Sequence, residues 1–157
     1  MTSRRTFVGL MGGALVGALP ARADAQPRAR PRIAAVVTEY RENSHGDVIV
    51  TKFLEGCKTV DLDYQPRVQI ASLFMDQTPP TDIGREIAAR HKVPIYDTIE
   101  EALTLGGKEL AVDGVLLIGE HGSYPYNELG QHMYPRRRFF DAAAGVMRRS
   151  GRSVPVF

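Results

Sequence analysis

Apolar positions along the chain fall into short continuous runs separated by segments of helical spacing. Ile33 to Val37 (IAAVV) is an unbroken β-branched and alanine run, as expected of a strand buried on both faces. Between Asp47 and Cys57, the residues Ile49, Phe53 and Cys57 recur four apart, with Val50 and Leu54 beside them, which predicts a helix. The run Val48-Ile49-Val50-Thr51 would also suit a strand. Val68 to Phe74 predicts a second strand, and Pro79-Pro80 breaks the chain after it. Asp82 to His91 reads as a helix with Ile83 and Ile87 inward, and Val93 to Tyr96 as a short strand. Asp97-Thr98-Ile99-Glu100 has the spacing of an aspartate cap with an acid three residues on. The helix it opens continues through Leu103 and stops at Gly106-Gly107. Val112 to Ile118 predicts a central strand, Arg137 to Arg149 a helix, and Val154 to Phe157 the start of a further strand.

Strands alternating with helices predict an α/β fold of three layers, a doubly wound and mainly parallel sheet. With 157 residues the chain is long enough for one such domain with a core. The sequence ends inside VPVF, with nothing to finish that strand, so the expectation is the front portion of a longer protein. A lone cysteine, Cys57, excludes an intramolecular disulfide, and its helical register predicts a buried thiol.

Residues 1–25 read as a leader. Arg4 and Arg5 in SRRTFVG precede an uncharged stretch from Val8 to Leu19, and Ala21-Arg22-Ala23 and Ala23-Asp24-Ala25 are small-x-small cleavage patterns. The apolar stretch is shorter than the roughly 20 residues that span a bilayer. Paired arginines before Phe7 resemble the twin-arginine signal, so the expectation is export by that machinery to the bacterial periplasm, with membrane contact only through the signal segment. Residues 26–31 form a Pro/Arg-rich linker and 32–157 the domain.

Removing the leader changes the charge. Lys+Arg falls from 20 to 17 with the loss of Arg4, Arg5 and Arg22, and Asp+Glu from 18 to 17 with Asp24, giving zero net charge. Arg136-Arg137-Arg138 then reads as a solvated helix start over a buried Phe139-Phe140 pair, and no broad basic face points to nucleic acid.

The stretch IGREIAARHKVPIYDTIEEAL through VDGVLLIGEHG resembles the amino-terminal half of the Gfo/Idh/MocA oxidoreductases, sugar and inositol dehydrogenases with a Rossmann domain. HMYPRRRFFDAAAGVMRRSGRSVPVF resembles that family's next helix-strand unit, so the resemblance covers about residues 32–157. ENSHGD and GEHGSYPYNELGQHMYPRRRFF are similar to segments of exported bacterial proteins, a variant whose function the resemblance leaves open. It implies that Asp76 could be the acid that bonds an adenosine ribose, though a turn aspartate before Gln77-Thr78-Pro79 is the plainer reading. It also implies that His132 corresponds to the histidine near the nicotinamide site, while the family's Glu-Lys-Pro motif would fall beyond Phe157.

NAD(P), the cofactor this resemblance implies, is disfavoured by residues 38–47, TEYRENSHGD. The family's glycine fingerprint makes a tight turn and lets backbone approach the pyrophosphate. Here Tyr40, Arg41, Glu42 and Asn43 carry side chains, and Glu39 and Glu42 bring negative charge; Arg41 and the helix start still offer something to an anion.

A doubly wound sheet places the first and fourth strands side by side, with ligands beyond their carboxyl ends. TEYRENSHGD would then face GEHGSYPYNELGQHMYP, gathering His45, Glu120, His121 and His132 as candidate catalytic groups and Glu39, Tyr124 and Asn127 as ligand contacts. Two histidines and a carboxylate could act as acid and base or ligate a divalent metal, although no compact motif such as HExxH is present. Plainer readings stand beside each: His45 as a helix cap, His121 as a loop residue, His132 packed on Tyr134, and His91 at a solvated helix end. The expected function is an exported oxidoreductase-like domain for a sugar-like or polyol molecule. The alternatives are a metal-dependent or acid–base enzyme on the same scaffold, and a non-catalytic binding module.

Overall fold

A computed structural model describes residues 29–157; the predicted signal peptide and residues 26–28 of the linker lie outside them. The central strand β1 (Arg32–Val37) pairs in parallel with β4 (Gln69–Met75) on one side and β5 (Gly114–Ile118) on the other. Parallel single bridges, Leu73 to Ile95 and Val115 to Val156, extend the order at both edges. Of the strands predicted over 93–96 and 154–157 the first keeps its bridge alone, and the second adds a bond from the Leu117 amide to the Phe157 carbonyl at 2.7 Å.

β1 alternates in the way its doubly buried pattern requires. Ala34 and Val36 pack in one cluster with Phe74, Ile99, Leu103, Phe139 and Val146, which brings α3 (Ile99–Thr104) and α4 (Arg136–Arg149) onto that face. Ala35 and Val37 pack in the other with Tyr40, Val50, Leu73, Ile87 and Ala88, from the first helical segment and α2 (Gly84–His91). Successive strand residues point to opposite faces, so the small side chains at 34 and 35 let helices approach the sheet from both sides.

The first helical segment departs from expectation. Gly46–Thr51 is π-helical, and only Lys52–Glu55 (α1) is α-helical. Val48, Ile49, Val50 and Thr51 are all β-branched and crowd an α-helical turn, which the wider π register relieves. Gly56, at φ 79°, ends the helix, and Cys57 falls in a two-residue strand, β2 (Cys57–Lys58), paired antiparallel with β3 (Asp63–Tyr64). The thiol is half-buried and outside any helix. The cap of α3 also moves by one residue. Thr98, extended at φ −130° and ψ 154°, accepts from the Glu101 amide at 3.1 Å, so the pair at capping-box spacing is Thr98 and Glu101 rather than Asp97 and Glu100. At the start of α4, Phe139 is buried while Phe140 is half exposed, so the arginine run covers one aromatic ring and not a pair.

Candidate functional site

The three strands end at one edge because backbone bonding continues a residue past each. The Thr38 amide donates to the Ile118 carbonyl at 3.0 Å, Asp76 to Val37 at 3.0 Å, and Gln77 to Thr38 at 2.8 Å. The Thr38 hydroxyl also donates to the Glu120 carbonyl. The loops after β1, β4 and β5 therefore leave from a common line, with those after β1 and β5 side by side.

The loop after β1 is not an open phosphate cradle. The Tyr40 ring turns inward and is completely buried. Gly84 leaves room for it, since a Cβ there would meet Tyr40 Cβ at 2.7 Å, and the Ile83 and Gly84 amides donate to the Tyr40 carbonyl at 2.9 and 3.2 Å. Its phenol donates to Thr51 Oγ1 at 2.8 Å, because the Thr51 hydroxyl already donates to Asp47 at 2.9 Å. Burial pushes the phenol up to about 12, with the Asp47 and Glu55 charges adding to it. Asp47 also accepts from the Asn43 amide at 2.9 Å, holding Asn43 at φ 60°. Gly46 allows the helix start to pack on this loop: a Cβ there would lie 2.7 Å from the Glu39 carbonyl.

Capping here belongs to Ser44, whose Oγ accepts from the Asp47 amide at 3.2 Å, while His45 makes no cap hydrogen bond. His45 instead stacks on His121, with ring centroids 4.8 Å apart and planes 21° from parallel. His121 sits at φ 65°, a left-handed conformation that costs a non-glycine residue on the order of 1–3 kcal/mol and persists where the surroundings impose it. Arg41 completes the group: Nη2 approaches His121 Nδ1 at 3.5 Å, and Nε donates to Glu39 Oε1 at 2.7 Å. Glu39 is buried with that oxygen engaged, so its role is to aim Arg41 rather than to contact a ligand directly. Glu120 pairs with Arg136 Nη2, and Arg136 Nε donates to the Gly119 carbonyl at 3.2 Å. A cleft of about 440 Å³ opens beside these groups, with His45, Glu120 and Arg136 at its polar side and Ile49, Ile118 and Phe139 among its apolar walls.

The other predicted site residues lie apart from the imidazole pair or are committed elsewhere. Asp76 accepts from the Tyr124 phenol at 2.7 Å and from Arg138 at 2.6 Å, so its carboxylate holds the β4 and β5 loops together instead of facing a ribose. Burial, then the hydrogen bond to Asp76, raise the Tyr124 phenol well above its ordinary value. Gln77 bonds both backbone groups of Ser123, at 2.8 and 2.9 Å, and reinforces the same closure. Asn127 spends its side chain on its own turn, accepting from the Leu129 and Gln131 amides at 3.0 and 2.8 Å. His132 bonds the Tyr124 carbonyl at 2.8 Å and lies between Tyr126 and Tyr134, with centroids 4.4 and 4.2 Å away. That is the packed histidine of the plainer reading, in a column of rings that ends with Arg136 over Tyr134 at 5.3 Å. His91 contacts Glu55 at 2.9 Å at the far end of α2.

Among the described residues no three His, Cys, Asp or Glu side chains converge as metal ligands. Sequence reasoning passed over Tyr40, Arg136 and Arg138. From the sequence Tyr40 reads as a side chain filling the space of a glycine fingerprint, and the arginines as a solvated run. The available signal was the acids of the loops, Glu120 and Asp76, which need cations, with the arginine run the nearest unassigned source. Comparison with family models, curated proteins and solved structures finds no match to this chain.

Proposed function

We propose that residues 29–157 form a Rossmann-like, doubly wound domain of an exported, oxidoreductase-like protein that takes a sugar-like or polyol molecule beyond β1 and β5 and has given up ordinary dinucleotide binding. The observation that carries this reading is the stacked His45–His121 pair at the point where the two loops diverge. A parallel sheet with helices on both faces binds ligands at such a switch point. Two edge bridges, at Ile95 and Val156, support the doubly wound order, with β1 central. A polyol needs donors and acceptors interleaved, and Arg41, His45, His121, Arg136 and Glu120 supply both. Against a dinucleotide stand the buried Tyr40 ring and the engagement of Asp76 by Tyr124 and Arg138.

The test is calorimetric titration of the protein with glucose, glucitol and myo-inositol, and separately with NADH and NADPH. Binding of a polyol that disappears in His121→Ala, with no heat from either dinucleotide, is expected. Low-micromolar dinucleotide affinity, or polyol binding that ignores His121→Ala, would refute it. An acid–base enzyme on the same scaffold is the second reading, favoured by the Arg41 contact at His121 Nδ1, which leaves the proton on Nε2 where it can be donated.

A further inference from the structure

We infer that the molecule bound beside His45 and His121 is a polyol that carries a carboxylate, an aldonate or uronate, with the carboxylate against Arg41, His45 and His121. This rests on the cleft reading above and adds the charge of its ligand. The acids at and beside the cleft each pair with an arginine, and among the described residues no carboxylate pairs with the imidazoles of His45 or His121. Glu120 pairs with Arg136, and Glu39 with Arg41. The Glu39 pairing uses only Arg41 Nε; Nη1 donates to the Glu42 carbonyl at 3.3 Å, and Nη2 approaches His121 at 3.5 Å, the long limit of a hydrogen bond. Among the described residues Glu39 is the only carboxylate in ion-pair distance of Arg41, and neither His45 nor His121 has one.

A guanidinium edge and two imidazoles thus gather at one spot with a single buried carboxylate, already engaged, behind them. An Arg41 donor at His121 Nδ1 makes that nitrogen the acceptor and leaves the ring proton on Nε2. A carboxylate accepts from a guanidinium N–H or an imidazole N–H, and such charge-assisted bonds are about twice as strong as neutral ones. The left-handed backbone of His121 belongs with this, since it turns the ring onto His45 and toward Arg41. A phosphate group fits less well. It would draw on the amides of the helix start, and those of Asp47 and Val48 already donate to Ser44, at 3.2 and 2.9 Å. Glu120 and Arg136, on the polar side of the cleft, can exchange hydrogen bonds with hydroxyl groups of the same ligand.

Calorimetry on the protein, at fixed pH and ionic strength, decides the matter with matched ligands: gluconate against glucitol, galacturonate against galactose, and glucose 6-phosphate as the phosphate arm. Each carboxylate should bind at least about ten-fold more tightly than its neutral partner, the factor that one charge-assisted hydrogen bond provides. That preference should shrink to about two-fold or less in Arg41→Gln and His121→Gln. Because Arg41 also compensates the buried Glu39, Arg41→Gln can fail to fold; His45→Gln, at an exposed position, then carries the same test, with circular dichroism confirming the fold. Equal affinity for neutral and charged partners overturns the inference and leaves the polyol cleft standing. Tighter binding of the phosphate, or a carboxylate preference that survives all three variants, overturns it too. Binding of none of the five overturns both readings together.

Discussion

Replacing Tyr40 by phenylalanine removes one oxygen from a ring that is completely buried, and its effect on stability should change sign with pH. At neutral pH the variant loses the hydrogen bond to Thr51, a neutral pair worth about 1 kcal/mol, while Thr51 keeps its own bond to Asp47. The wild type should therefore be the more stable by about 1 kcal/mol, or several degrees in Tm for a domain of this size. Alkaline pH works against the wild type. Its folded phenol sits at about 12 because of burial, above the ordinary 10.0, so the folded state holds the proton more tightly than the unfolded state does. Stability from such a group is complete below pH 10 and is lost as pH rises from 10 through 12. The loss is about 1.4 kcal/mol by pH 11, growing toward about 3 kcal/mol above pH 12. The two proteins should thus be equally stable near pH 11, and above it the phenylalanine variant should lead. Urea melts followed by circular dichroism from pH 7 to 11.5 measure this difference directly. Tyr124 titrates in both proteins and drops out of the comparison. A stability difference that stays constant over that range would refute the claim that the Tyr40 phenol is buried as a neutral donor.

Three further perturbations probe other parts of the account. Gly46→Ala places a Cβ 2.7 Å from the Glu39 carbonyl, a backbone atom that cannot swing away, so a loss of about 1–3 kcal/mol is expected in thermal melts. His121→Gly relieves a left-handed residue and should stabilise by about 0.5 kcal/mol, yet abolish ligand binding in calorimetry; a lower Tm would mean the ring is a packing residue. Arg4→Lys with Arg5→Lys should block export in cell fractionation if the twin-arginine route is used, and unchanged export would sink that assignment.

Much of the architecture is legible in the sequence because it depends on local periodicity. The unbroken run at 33–37 fits a strand covered on both faces, and the spacing at 82–91 and 137–149 fits helices burying one stripe. Alternation of such elements predicts a parallel sheet, and β1 does lie in parallel beside β5. The convergence of residues 45 and 121 was legible for the same reason, since it needs only strand order and chain direction.

What tertiary structure alone decided is where individual side chains point and with whom they bond. Tyr40 lies inward because Gly84, forty-four positions on, leaves space for its ring, and no local pattern records that match. Asp76 is taken from any ribose by Tyr124 and Arg138, at sequence separations of 48 and 62. The predicted helix over 47–57 is π-helical to Thr51, α-helical from Lys52 to Glu55 and stops at Gly56, short of Cys57. The edges at 95 and 156 carry single bridges, held by backbone bonds of Leu73 with Pro94 and Tyr96, and of Val115 and Leu117 with Pro155 and Phe157. Periodicity is set by each segment acting alone, whereas hydrogen-bond partners and left-handed residues such as His121 are set by neighbours that arrive only when the sheet has closed.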